Sequence, residues 1–261
     1  MDCSAGWEGV KMSTEAVIET QELTKIYNGQ VAVENLSFSV NTGEIFGFLG
    51  PNGAGKTTTL LMLLGLTEPT SGSARVLGMD PAREPIKVKS VVGYLQENMG
   101  FYSDLNARQM LQFIAELNVI TAKVAEERIT AALEAVGLAE EQDKKIAAYS
   151  RGMRQRLGIA ELLIKDAKVA FLDEPTLGLD PDGTNRMIEL IQSLCRDKKM
   201  TILLSSHMLQ QVQKMCHRIG IMIKGRMVAQ GDMDHLAEEK FGVGKEQYTL
   251  EEIYMKYFQE A

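Results

Sequence analysis

The chain has 261 residues, 45% of them hydrophobic and 24% charged, the proportions of a globular protein with a full core. A formal net charge of −7 argues against a protein whose main task is to grip a phosphate backbone, so no nucleic-acid partner is expected. Cys3, Cys195 and Cys216 lie far apart with no C-x-x-C spacing, which suits reduced thiols rather than a disulfide frame or a zinc site.

Met1 to Lys11 is short and polar and lacks the apolar stretch of a signal peptide, so residues 1–14 are expected to form a flexible tail. From Val17 to Val40 apolar residues alternate loosely around Asn28-Gly29, a hairpin dipeptide, which predicts an antiparallel sheet. Glu44 to Leu49 is a short apolar strand, and Thr58 to Leu66 reads as a buried helix. Gly72 to Gly78 suggests a strand pair and Val91 to Leu95 a further strand. Asp104 to Leu138 is helical in character, with Leu105, Met110, Leu111, Ile114 and Leu117 at three- and four-residue spacings. Strands return at 168–172, 201–205 and 219–223 with helices between them, and Glu251 to Phe258 predicts a terminal helix. No apolar run approaches the ~20 residues that span a bilayer. Work at a membrane would need a membrane chain supplied by another protein.

Between the strand at Glu44–Leu49 and the helix after it, Gly50-Pro51-Asn52-Gly53-Ala54-Gly55-Lys56-Thr57-Thr58 satisfies G-x-x-x-x-G-K-S/T in full. Glycines let successive N–H groups of Asn52, Gly53, Ala54, Gly55 and Thr58 curl around a phosphate, and the helix N-terminus adds positive charge. Lys56 would reach the β- and γ-phosphates, and the Thr57 hydroxyl would ligate Mg²⁺. A chance lysine after a glycine-rich turn is the competing reading, and the strand–loop–helix context argues against it. Val169-Ala170-Phe171-Leu172-Asp173-Glu174-Pro175 is a buried strand ending in two acids. Asp173 is placed to hold Mg²⁺, usually through water, and Glu174 to orient and polarise the attacking water.

With these two motifs the chain resembles the ATP-binding cassette ATPases over nearly its whole length. Tyr149-Ser150-Arg151-Gly152-Met153-Arg154-Gln155-Arg156-Leu157 stands in the place of that family's L-S-G-G-Q signature. Thr176-Leu177-Gly178-Leu179-Asp180-Pro181 resembles its D-loop, carrying Asp180, and Ser205-Ser206-His207 resembles its switch histidine. Tyr27 stands where the family places an aromatic under the adenine; an exposed strand tyrosine is the competing reading.

The resemblance implies an α/β fold: a P-loop NTPase core with a mainly parallel sheet, an N-terminal antiparallel β subdomain and an inserted all-helical subdomain. It implies one domain over 15–261, with the core at about 15–97 and 166–235, helices at about 98–165 and a helical tail at about 236–261. It implies two cassettes, identical or paralogous, sandwiching two ATP molecules head to tail. Ser150 and Gly152 would then meet the partner's phosphate, although Ser150 can equally be an ordinary helix cap. His207 would contact the γ-phosphate and steady Glu174, whereas His217 and His235 read as packed or surface imidazoles.

Two departures stand out. Arg151 and Met153 replace Gly and Gln of the signature, a form similar to single-domain exporter cassettes. In Gly93-Tyr94-Leu95-Gln96-Glu97 the strict register puts Glu97 at the position of the family's Q-loop glutamine, and either Gln96 or Glu97 would serve as the metal or water ligand. The function implied is ATP hydrolysis in a transporter, exporter in type, held on the inner face of the cell membrane by integral permease subunits. Met99, Phe101 and Tyr102 suit a docking surface for such a partner; core packing is the competing reading. The alternative is a soluble cassette serving nucleic-acid repair, translation or cluster assembly. A single set of motifs and the acidic balance argue against it. A non-hydrolysing regulatory cassette is disfavoured because Lys56, Thr57, Asp173, Glu174 and His207 are all present.

Overall fold

Asn28 and Gly29 both take positive φ, 49° and 82°, which fits the two-residue hairpin turns that match the right-handed twist of their strands. They join β1 (Ala16–Tyr27) to β2 (Gln30–Asn41), and β4 (Ser71–Val76) pairs with the other edge of β1. The result is an antiparallel sheet of order β2-β1-β4. This computed structural model describes residues 15–242 and 248–260; the expected tail over residues 1–14, with Cys3, lies outside the described residues.

The strand pair expected over Gly72–Gly78 is a single strand. After β4 the chain turns at Leu77-Gly78 and returns for one bridge only, Val76 to Met79. Asp80 then accepts the N–H of Ala82, and Pro81 has no N–H to extend a ladder.

The second sheet contains β3 (Ile45–Leu49), β5 (Val92–Leu95), β6 (Val169–Asp173), β7 (Thr201–Ser206), β8 (Arg218–Ile223) and β9 (Arg226–Gly231). Its order is β5-β6-β7-β3-β8-β9, parallel except for β9. Every residue of β3, β6 and β7 is buried, as expected of parallel strands covered on both faces. Alternation sends Phe46 and Phe48 towards Phe38 of β2, with ring centroids 5.6 and 5.0 Å away. Ile45 and Leu49 join the core on the opposite, helical face. The strand β9 was not anticipated. It is a partly exposed edge strand of mixed composition, and its turn is Lys224-Gly225 rather than Asn-Gly.

The helix α1 (Lys56–Leu63) follows β3, and α2 (Pro85–Val91) leads into β5. The stretch read as continuously helical, 104–138, is two helices, α3 (Ala107–Leu117) and α4 (Ala122–Ala135). The break falls at Val119, which takes φ 57°. Asn106 and Gln109 form a reciprocal capping box at the start of α3.

The helix α5 (Arg151–Ile164) packs on α3 and α4 and lies across β5, where Gly158 leaves room for Leu95 and Met99. Near its end, Lys165 Nζ donates to the carbonyls of Lys89 and Val92, and burial pushes the Glu161 carboxyl up to about 7. Then come α6 (Pro181–Lys198), α7 (Leu209–Met215), α8 (Met233–Phe241) and α9 (Leu250–Glu260), the last matching the predicted terminal helix and packing on α7 and α8. Among the described residues no helix is long and apolar enough to cross a membrane.

Candidate nucleotide-binding and catalytic site

Because β3, β6 and β7 run parallel, the chain leaves all three at the same edge of the sheet, the edge where such folds present ligand groups. The glycine-rich loop leaves β3 there. Gly55 takes φ 98°, and a Cβ on it would lie 2.6 Å from the Ala32 carbonyl, so both backbone angle and space require glycine. Behind the loop, the N–H of Gly225 donates to Ala54 O at 3.1 Å and the N–H of Glu34 donates to Gly225 O at 2.8 Å. Arg226 clasps Glu34 with two bonds of 2.9 and 2.7 Å.

Lys56 folds back over its own loop, donating to Gly50 O at 2.7 Å and Pro51 O at 3.1 Å. Its Nζ lies 3.7 Å from Glu174 Oε1. Burial lowers the Lys56 pKa, and the carboxylates of Glu174 and Asp173 act in the opposite direction. Asn52, Gly53, Ala54, Gly55, Lys56, Thr57 and Thr58 line a cleft of about 450 Å³ with Tyr27, Gln30, Val31, Ala32, Glu97 and Glu174. Gln96 is not among its lining residues. Tyr27 is 43% exposed, with Lys25 Nζ 4.8 Å from its ring centroid.

At the end of β6, Asp173 Oδ1 accepts from Thr57 Oγ1 at 3.1 Å and from Ser205 Oγ at 2.5 Å. Glu174 is buried, and its backbone takes φ 49°. Its Oε1 lies 3.0 Å from His207 Nδ1, while its Oε2 is buried with no hydrogen-bond partner. Lys56, Glu174 and His207 therefore converge, as do Thr57 and Asp173. Glu174 lines the cleft, and an orphaned buried carboxylate oxygen is an acceptor that a water or ligand proton would satisfy.

No group of three or more His, Cys, Asp or Glu side chains that could cage a metal ion occurs among the described residues. A hydroxyl beside a carboxylate is nonetheless the sparse oxygen set that suits Mg²⁺, which takes its remaining ligands from phosphate and water.

Ser150, Gly152 and Asp180 lie elsewhere, in a second cleft of about 380 Å³ between the starts of α5 and α6. Ser150 does cap α5: its Oγ accepts the N–H of Met153 at 3.2 Å. Arg151, Arg156 and Arg186 line the same cleft. Asp180 precedes Pro181 at the start of α6 and makes no side-chain capping bond.

Met99 and Phe101, suggested as docking surface, are partly buried and packed on the core. Only Tyr102 of the three is exposed, at 58%, with Phe113 edge-on to its ring. His217 is a packed imidazole: its Nδ1 accepts the N–H of Ile45 at 2.9 Å, and burial lowers its pKa. His235 is exposed in the first turn of α8.

A family model for ABC transporters matches residues 33–177. The bacitracin transport ATP-binding protein BcrA of Bacillus licheniformis is 42% identical over 225 residues, covering 86% of this chain and 72% of that protein. This chain belongs to the ABC transporter ATP-binding family. Nod factor export ATP-binding protein I of Burkholderia pseudomallei (strain 1710b) is 38% identical over 227 residues, covering 87% of the cassette and 74% of that protein. A solved structure of the ATP binding subunit of an ABC transporter shares the fold with a TM-score of 0.82 at 28% identity, covering 93% of the cassette and 99% of that chain.

The cassette is accordingly an ATP-binding protein and an ATP hydrolase. The motif Ser205-Ser206-His207 pointed to His207 alone; it assigned no role to Ser205, which bonds to the Asp173 carboxylate and the Glu174 N–H. No motif contained Gln211, whose Oε1 accepts the hydroxyl of Thr176. The available signal at Ser205 was a polar residue closing the apolar run Ile202-Leu203-Leu204.

Proposed function

We propose that the cassette is the ATP-driven subunit of an exporter, closing head to tail on a second cassette and so moving separate integral permease subunits. The observation that carries this reading is the division of the family's motifs between two clefts of one chain. Lys56, Thr57, Asp173, Glu174 and His207 gather at the first cleft, and Ser150, Gly152 and Asp180 gather at the second. A head-to-tail pair would bring the second cleft of each chain onto the nucleotide in the first cleft of the other. The capped start of α5 would then offer its free N–H groups to the γ-phosphate.

In this reading the loop amides and Lys56 bind the β- and γ-phosphates, and Tyr27 lies against the base. Glu174 takes the proton of the attacking water on its unpartnered Oε2, and His207 holds that carboxylate through Oε1. Thr57 and Asp173 would hold Mg²⁺, with Glu97 rather than Gln96 at the cleft wall; the ion supplies neutralisation of phosphate charge. We place the nucleotide core at about 15–97 and 166–235, the helical subdomain at about 98–165 and the C-terminal helical tail at about 236–261.

Transport is supported by the name of the bacitracin transport relative, and export by that of the Nod factor export relative. The permease would hold the cassette on the inner face of the cell membrane. Tyr102 and Phe113 form the exposed aromatic pair that a permease helix would meet. ATP hydrolysis and oligomeric state, measured for the wild type and Glu174→Gln, test the mechanism. Hydrolysis by the wild type with an ATP-held dimer of the variant supports it; no dimer and undiminished hydrolysis in the variant overturn it. A salt-sensitive affinity for DNA or RNA would instead favour a soluble role.

A further inference from the structure

Ser205 occupies a place where its chemistry is unexpected. It is wholly buried on β7, directly after Ile202, Leu203 and Leu204, which are also wholly buried. A hydroxyl at such a position carries a desolvation cost unless it is hydrogen-bonded. Ser205 pairs with Asp173 in the ladder between β7 and β6, and its Oγ donates to Asp173 Oδ1 at 2.5 Å. The same oxygen accepts the N–H of Glu174 at 3.1 Å, and the Ser205 carbonyl accepts that N–H at 3.2 Å.

One hydroxyl thus joins the Asp173 carboxylate to the backbone N–H of Glu174. Asp173 Oδ1 receives two donors, Ser205 from behind and Thr57 from the loop, which fixes the plane of its carboxylate. Glu174 is held at φ 49°, a backbone conformation that L-residues adopt only at a cost. The shared N–H bond to Ser205 holds it there, and its side chain then meets His207 and Lys56.

We propose that Ser205 is a positioning residue for ATP hydrolysis: its hydroxyl locks Asp173 and Glu174 to one another and so aims Glu174 at the attacking water. The proposal rests on the reading of Glu174 as the base. Ser205 does not itself line the cleft, so it acts only through Asp173 and Glu174.

The test compares wild type, Ser205→Ala, Ser205→Thr and Glu174→Gln for kcat, KM for ATP, thermal midpoint and binding of a fluorescent ATP analogue without divalent cation. Loss of a hydrogen bond to a charged group at this site should lower kcat of Ser205→Ala about tenfold. KM should stay within about twofold, because the loop and Lys56 are untouched. Analogue binding and thermal midpoint should remain those of the wild type, and Ser205→Thr, which keeps the hydroxyl, should recover most of kcat. Full kcat in Ser205→Ala overturns the proposal. So does a joint loss of binding and thermal stability that Ser205→Thr does not recover, since that marks a packing role. If Glu174→Gln hydrolyses ATP like the wild type, the role of Glu174 falls and this proposal with it. If Glu174→Gln is inactive and Ser205→Ala unimpaired, only the proposal for Ser205 falls.

Discussion

Thr57 and Asp173 stand 116 residues apart in sequence, yet the hydroxyl of one donates to the carboxylate of the other at 3.1 Å. Thr57 opens α1, which follows β3, and Asp173 ends β6; β7 lies between β3 and β6 in the sheet. The bond therefore crosses above the end of β7, and it leaves the lone pairs of Thr57 Oγ1 free to accept a cation.

Asp173→Asn keeps the shape of this contact and removes its charge. Hydrolysis should fall by about 10²-fold or more, the scale for losing one preorganised electrostatic partner. Binding of ATP without divalent cation should persist. A Mg²⁺ titration of ATPase rate checks this, and a variant with the wild-type rate and Mg²⁺ requirement would remove Asp173 from the site.

Glu174→Gln leaves the hydrogen bond to His207 available and takes away the basic oxygen. The expected drop in kcat is about 10²- to 10⁴-fold, the range for removing a general base. ATP should hold the variant as a dimer, visible by light scattering. Rate retention within about threefold would mean that the proton goes elsewhere.

Ser150→Ala separates two roles of one hydroxyl. As the cap of α5 it should contribute about 1 kcal/mol of stability. As a phosphate contact in a pair of cassettes it should matter much more to hydrolysis, while ATP binding by the single chain is unaffected. Denaturant unfolding, rate measurement and nucleotide binding on the same preparation distinguish the two. A rate loss no larger than the loss in folded fraction would leave Ser150 as a cap only.

Most of the fold-defining pattern was legible where the physics is local. Asn28-Gly29 fixes a turn by backbone preference, and the run Gly50–Thr58 needs only its own glycines, lysine and helix start. Asp173 and Glu174 were legible because a buried apolar strand ending in acids is locally odd. Ser205 was not, because its partners are set by the register of β6 on β7, which no short-range pattern encodes. The choice between Gln96 and Glu97 likewise depends on which way the chain leaves β5, and only the folded chain puts Glu97 on the cleft wall. The break between α3 and α4 was not legible because no Gly or Pro marks it: the positive φ falls on Val119.

Acidity should act on the α5 anchor. The Glu161 carboxyl is pushed by burial from 4.5 to about 7, against the pull of Lys165. The folded state therefore holds a proton that the unfolded chain has already released between those two values. The stability this confers is complete below about 4.5 and is lost as pH rises through about 7. Glu161→Gln should flatten that slope and be more stable than the wild type above pH 7, by on the order of 1–3 kcal/mol. Thermal melts across the range check it; parallel curves for the two proteins would show that Glu161 titrates normally.

The turn at Lys224-Gly225 joins two strands of the large sheet, and such turns are the usual places to graft a tag or an epitope. Here that habit would fail. Gly225 is bonded to Ala54 of the phosphate loop on one side and to Glu34 of β2 on the other, so the turn is a buttress wedged behind the nucleotide cradle. An insertion there would push on the cradle from the rear, and a cassette that still folded would lose its grip on ATP.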